Sequence, residues 1–284
     1  MSKAAGWIDY RARMDRVVAH VHEHFDKPLD LAQLADIAHL SPCHWHRIYH
    51  ALYGETLATT VRRLRLHHAS GLLVNSSADI ETVARRSGYP NAQSFARAFR
   101  VQYGTSPSQF RMHGKLEPIP NAPAEAVRCS YEVVIRNVPR MRVAGLSHRG
   151  SYMGIGKAFD MCLVSLSALG QVSPNSRWLA EYQDDPFAIP QAQLRSRAGL
   201  SVAEDWQVPS PLVAFELGGG HCAVLRHRGP YANMRAAYQW LFGHWLVQSG
   251  ACAGDAPVFE EYLNNPRDTA PADLMTDVFL PLTD

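Results

Sequence analysis

The chain repeats itself twice, in two different ways, and no other feature limits its architecture as much. In the first part, LAQLADIAHLSPCHWHRIYHALYG (31–54) echoes IETVARRSGYPNAQSFARAFRVQYG (80–104). Leu31, Leu34 and Ala35 align with Ile80, Val83 and Ala84 at an offset of 49, and Trp45, Tyr49, Tyr53 and Gly54 with Phe95, Phe99, Tyr103 and Gly104 at an offset of 50. The extra residue falls in a turn, where a loop absorbs it. In the second part, HRGSY (148–152) returns as HRGPY (227–231) at an offset of 79, and EYQDDP (181–186) as EYLNNP (261–266) at an offset of 80. Each duplicated unit is expected to pack on its copy about a pseudo-two-fold axis. Two unrelated duplications in series mean two domains, in keeping with 284 residues. Between them, EPIPNAPAEA (117–126) lacks apolar periodicity, and its prolines remove backbone donors that a helix or central strand needs. The reading is a multidomain chain: an all-α domain over 1–115, a Pro-rich linker over 116–129, and an α+β domain over 130–284.

Each N-terminal repeat has one layout. A short helix with Leu31, Leu34, Ala35 and Ala38 on one face, or Ile80, Val83 and Ala84, is followed by a turn. Ser41 or Asn91 stands ready to cap a second, amphipathic helix. Trp45, Ile48, Tyr49 and Leu52 form its inner stripe in one copy; Phe95, Ala98, Phe99 and Tyr103 do so in the other. That is a helix-turn-helix, twice. Such a unit places the N-terminal part of its second helix in the major groove of DNA. The exposed face there is predicted to carry Ser41, Pro42, Cys43, His46, Arg47 and His50 in the first copy, and Asn91, Ala92, Gln93, Ala96 and Arg97 in the second. Arg can bond guanine twice, and Asn or Gln adenine twice. A helix over about Thr56–Val74, carrying Arg62, Arg63 and Arg65, joins the units. Its ~19 residues span ~28 Å, against ~34 Å between successive major-groove faces. One chain could therefore address a single asymmetric site as a monomer, given some bending of the DNA.

Charge follows the same division. Residues 1–115 hold 15 Lys and Arg against 9 Asp and Glu, whereas 116–284 hold 13 against 17. A basic part suits a polyanion and the acidic part a different partner. His20/His24 and His46/His50 have the i,i+4 spacing of paired metal ligands. No CxxC or acidic cluster completes either set, so surface histidines are the plainer reading and neither metal nor cofactor is expected. The five cysteines are odd in number and unpaired in spacing, which points to a reducing cytoplasm. No apolar run approaches the ~20 residues that span a bilayer, so no membrane is expected as a partner.

The stretch 31–111 resembles the DNA-binding domain of the AraC/XylS family of transcription regulators. The resemblance is carried by F-x-R-x-F in 95–99 and Y-G-x-S-P-x-x-F-R in 103–111. It implies seven helices with helix-turn-helix units at both ends of a linker helix, double-stranded DNA as target and RNA polymerase as partner. The chain departs from the pattern at Pro42 and Cys43, small residues where other members carry aromatic or basic contacts.

The second part alternates short β-rich runs, such as Tyr131–Ile135, Ala223–Arg226 and Asp277–Leu280, with Gly and Pro turns. Each repeat reads strand, glycine turn, helix, two strands. Two βαββ units predict an antiparallel sheet with helices on one side and a groove between them. HRGPYANMRAAYQWLFGHW, FEEYLNNP and DVFLPL resemble the GyrI-like effector-binding domain, and the fusion order matches the Rob-like layout. The resemblance implies a small-molecule effector in a cleft where an acidic residue sits among aromatics, a setting for lipophilic cations. By motif position the carboxylate is Glu260, with Tyr262 on the same face of its strand and Glu261 on the other. Ala180 takes its place in the first repeat. Tyr152, Tyr231, Trp178, Trp240 and Trp245 are the candidate walls. Some GyrI-like domains hydrolyse reactive small molecules, so an alternative is catalysis by Glu260 with Tyr231 or Tyr262; a drug-sequestering protein is a third. The absence of a nucleophile motif and the presence of a DNA-reading half favour a regulator that is not an enzyme.

Overall fold

The computed structural model describes residues 10–41, 44–113 and 130–283. Pro42, Cys43 and the whole linker 116–129 lie outside these residues. The described chain forms two compact units. One contains 11–40 and 53–113; the other contains Tyr10, 44–52 with Ser41, and 130–283.

In the helical unit, the starts of four helices are fixed by a side chain that satisfies an orphan amide. Asp30 Oδ1 accepts from Ala32 N at 2.9 Å to open α2 (Leu31–Ala38), which follows α1 (Tyr10–His24). In the same way Thr56 opens α4 (Leu57–Asn75), Asp79 opens α5 (Ile80–Arg86) and Asn91 opens α6 (Ala92–Tyr103). The intervening α3 (Trp45–Tyr53) belongs, as far as Leu52, to the other unit. α7 (Pro107–His113) is the seventh helix among the described residues of this part. Leu66, Ala69 and Leu73 of α4 pack with Val83 and Ala84 of α5, Phe95 and Phe99 of α6 and Phe110 of α7. Those are the apolar positions that the second sequence repeat marks.

The second domain is an antiparallel sheet of eight strands, in the order β1-β6-β8-β7-β3-β4-β2-β5. The strands are β1 (Val133–Val138), β2 (Met141–Arg149), β3 (Trp178–Tyr182), β4 (Arg195–Ser201), β5 (Val213–Leu217), β6 (Gly220–Arg228), β7 (Val258–Tyr262) and β8 (Met275–Pro281). Reversing the order exchanges β1 with β5, β2 with β6, β3 with β7 and β4 with β8, so the sequence duplication is a two-fold in the sheet. Each βαββ unit is preceded by a further strand, and that strand pairs with the other copy: β1 with β6 and β5 with β2. This exchange stitches the copies together and was not readable from either repeat alone.

The repeated strings have structural tasks. In HRGSY and HRGPY, Gly150 (φ 119) and Gly229 (φ 131) adopt a conformation closed to other residues. Their amides bond Leu194 O at 2.9 Å and Leu274 O at 2.8 Å. In EYQDDP and EYLNNP, Asp184 Oδ2 accepts from Arg195 N at 2.7 Å and Asn264 Oδ1 from Met275 N at 2.9 Å, pinning the next strand identically in both copies.

Side chains alternate across the sheet. Val143, Leu179, Phe259 and Phe279 meet on one face. Ala144, Ala180, Ala198 and Leu200 face the other way, under α8 (Gly156–Ala168). The second copy's helix runs from α9 (Met234–Trp240) through a π-helical turn (Leu241–Trp245) to α10 (Leu246–Ser249). Among the described residues, no helix is long and apolar enough to cross a membrane.

Candidate functional site

The cleft lies where the pseudo-two-fold crosses the sheet. β3 and β7 pair there, with Ala180 opposite Glu260 and Trp178 opposite Tyr262. The positions that correspond in the repeats are thus neighbours, one small and one acidic. The cavity above them holds about 500 Å³.

Glu260 is 6% exposed, but both of its oxygens are bonded. Tyr238 donates to Oε1 and Tyr262 to Oε2, each at 2.7 Å. Tyr182 and Tyr262 share a hydrogen bond of 2.6 Å, so three phenols converge on one carboxylate. Burial pushes the Glu260 carboxyl above the usual range, while the phenols and the Arg47 guanidinium pull it back. Burial and the nearby carboxylate hold Tyr182, Tyr238 and Tyr262 well above the ordinary phenol range. Burial pushes Tyr152 up to about 12. Glu261, on the opposite face of β7, pairs with Arg177.

Of the aromatics named from sequence, Tyr152, Trp178, Tyr231 and Tyr262 line the cavity together with Glu260. Trp240 and Trp245 do not. Trp240 packs against Tyr131 and His244, with ring centres 5.9 and 5.3 Å away. The helix turns Met234, Tyr238 and Phe242 to the cavity at i, i+4 and i+8. Trp240 lies off that face, and Trp245 stands at the end of the π turn. Tyr238, Phe242, Phe159, Phe187 and Tyr182 are the walls that sequence reasoning missed. Tyr182 could have been found, because it is the first-copy counterpart of Tyr262.

The largest departure concerns α3. Its predicted exposed face is not exposed: from His44 to Tyr53 every residue is buried or half-buried. Arg47 is 8% exposed and lines the cavity with His50 and Ala51. Its Nη2 donates to Asp184 O at 3.0 Å, and its guanidinium carbon lies 5.4 Å from the Tyr238 ring centre and 5.6 Å from that of Phe242. The His50 ring stacks on Phe187 at 4.0 Å. His44 Nε2 donates to Ala256 O at 3.0 Å, and burial lowers the pKa of this ring to about 3, helped by the Arg47 charge. His46 lies against Trp45, and Ser41 is half-buried.

α6 is different. Asn91, Gln93, Arg97 and Arg100 are exposed, and Ala92 and Ala96 half-buried between them. The Asn91 oxygen already accepts the capping bond from Ser94 N, so this side chain has a structural task as well. On the linker helix, Arg63 pairs with Glu55 at 2.6 Å, and Arg65 donates to Phe25 O and Lys27 O at 2.6 and 3.0 Å. Those two arginines build the domain; Arg62 is exposed. The His20 and His24 rings stack at 4.2 Å, and no group of three metal-ligating side chains occurs among the described residues.

A helix-turn-helix region together with a duplicated sheet domain that holds a carboxylate in an aromatic cleft defines the class: a helix-turn-helix chain that also carries a small-molecule-binding fold. The chain belongs to the GyrI-like family of small molecule binding domains, whose model matches 131–283, and to the AraC family through its helix-turn-helix domain, matched over 34–113. The Escherichia coli (strain K12) regulatory protein SoxS is 30% identical over 95 residues, 34% of this chain and 89% of SoxS. The Bacillus subtilis bifunctional transcriptional activator/DNA repair enzyme AdaA is 33% identical over 104 residues, 37% of this chain and 49% of AdaA. The chain therefore spans about half the length of AdaA. A crystal structure of the EcmrR C-terminal domain aligns with 54% of this chain and 98% of its own, at 14% identity and a TM-score of 0.47.

Proposed function

We propose that this protein is a sequence-specific, DNA-binding transcription regulator controlled by a lipophilic cation in the cleft of residues 130–283. The observation that carries the reading is the Glu260 site. A carboxylate removed from water needs a counter-charge, and aromatic faces attract cations. The cavity size is that of a drug-like ligand. The exposed Asn91, Gln93 and Arg97 of α6 are the proposed base-reading residues. His46, Arg47 and His50 can join them only when α3 is released. The AraC-type layout supports RNA polymerase as a further partner on the promoter.

Binding is favoured over catalysis. Both Glu260 oxygens already accept phenol hydrogens, and raised pKa values keep Tyr182, Tyr238 and Tyr262 protonated. Neither is poised to activate water. The test is titration with tetraphenylphosphonium and with neutral triphenylphosphine oxide. Glu260→Gln should weaken the cation at least ~10-fold more than the neutral compound, a difference of about 1.4 kcal/mol. Equal weakening of both would mean that the carboxylate is not the counter-charge.

A further inference from the structure

We propose that Arg47 occupies the cation seat of the cleft as a tethered stand-in for the effector, so that a bound cation and a docked α3 exclude one another. The inference rests on the cation-binding reading above and adds how binding reaches the DNA-reading helices.

Three observations support it. The first is chemical identity. A planar cation lies within cation–π range of Tyr238 and Phe242 and against the carbonyl of Asp184. Tyr238 is also a donor to Glu260, and the guanidinium field acts on that carboxylate. These are the groups that a lipophilic cation would seek.

The second is imperfect fit. Arg47 is more than nine-tenths buried, yet among the described residues its Nε and Nη1 have no hydrogen-bond partner. Buried, unmade hydrogen bonds to a charged group are costly. A quaternary or delocalised cation with no hydrogen to donate would satisfy the same aromatic and acidic groups without that cost. Arg47 is therefore a replaceable occupant.

The third is that the seat holds a whole helix. His50 stacks on Phe187, and Ala51 packs so tightly on Gly243 that a Cβ there would lie 2.7 Å from the Ala51 Cβ. With α3 held in this way its reading face is covered. A ligand that takes the Arg47 seat frees the helix by direct competition, and no conformational relay through the sheet is needed. The ligand has different affinities for the docked and released forms, as any coupling requires.

Tetraphenylphosphonium binding and amide hydrogen exchange over 44–52 test this on the full chain. Arg47→Met, which removes the competitor, should bind the probe at least ~10-fold more tightly than the native protein. Saturating probe should accelerate exchange across 44–52 in the native protein. Gly243→Leu, which undocks α3 without altering a cavity-lining residue, should also tighten probe binding, and keeps the test available if Arg47→Met fails to fold. Probe binding that Glu260→Gln weakens but that neither Arg47→Met nor Gly243→Leu strengthens overturns the competition alone. So does slower exchange over 44–52 with probe, which would place the ligand beside a clamped helix. Failure of every variant to bind the probe overturns the cation reading, and this inference with it.

Discussion

Gly243 offers a way to perturb the docking of α3 without substituting any residue that lines the cavity. It sits in the π turn of the second helix of the sheet domain, and a Cβ there would stand 2.7 Å from Ala51 Cβ and 2.8 Å from Ala51 O. Those atoms are backbone or the stub of an alanine, so no flexible side chain can swing aside. Gly243→Ala therefore overpacks the docked form, at about 1–3 kcal/mol. Alanine also favours a helix interior over glycine by roughly 0.5–1 kcal/mol. That gain is common to the docked and released forms and cancels from their equilibrium, but it supports the helix itself. The docking equilibrium should thus move about 5–150-fold toward release. Hydrogen exchange separates the two effects: amides of 44–52 should exchange faster by a factor in that range, while those of 234–249 hold or slow. Unchanged protection over 44–52 would refute the argument, because it would mean that the contact with Ala51 contributes nothing to holding α3.

Acidification should act on the same contact through His44. Its docked pKa, about 3, lies below the ordinary 6.5, so its contribution is complete above pH 6.5 and lost as pH falls toward 3. At pH 5 a released His44 gains about 2 kcal/mol from protonation. Exchange over 44–52, corrected for intrinsic rates, should be faster at pH 5 than at pH 7.5, and His44→Gln should abolish the difference; a pH response that survives the substitution assigns it elsewhere. On the DNA side, Arg97→Ala should cost about 1–3 kcal/mol on the cognate site if the guanidinium reads a base. Measured by mobility shift, an equal loss on random duplex would make it a phosphate anchor.

Much of the architecture was legible because duplication and periodicity are local properties of a sequence. The spacing of Val83, Ala84, Phe95 and Phe99 identifies a helix pair, and these residues do form its core. The alternation in FEEYL puts Glu260 and Tyr262 on one side of β7 and Glu261 on the other. What was not legible depends on long-range placement. Trp240 and Trp245 were named as walls because they are aromatic, but the helix face turned to the cavity is the one that carries Met234, Tyr238 and Phe242, and Trp240 packs instead on Tyr131 and His244. The leading strands β1 and β5 exchange between copies, a pairing that neither repeat encodes alone. Arg47 was assigned an exposed face by amphipathicity. Amphipathicity tells which side of a helix tolerates water, but not whether another part of the chain covers that side.

The two helices proposed to read DNA are alike in sequence but differ in state, and on the proposed scheme this difference is what regulation would act on. α6 presents Gln93 and Arg97 to solvent, whereas α3 has Arg47 and His50 committed to the cleft. A protein with one available reader retains the electrostatic, sequence-independent part of DNA affinity, which needs only basic surface. Specificity for a two-part site requires the second reader as well. Its apparent affinity is reduced by the fraction of molecules in which α3 is released. If docking favours the covered form by about 1–3 kcal/mol, that fraction is roughly one in six to one in 150. An effector taking the Arg47 seat could then raise occupancy of the two-part site by up to the same factor. The asymmetry of the duplicated cleft fits this scheme: with Ala180 opposite Glu260 there is one carboxylate at the axis, and it serves either the tethered cation or the free one.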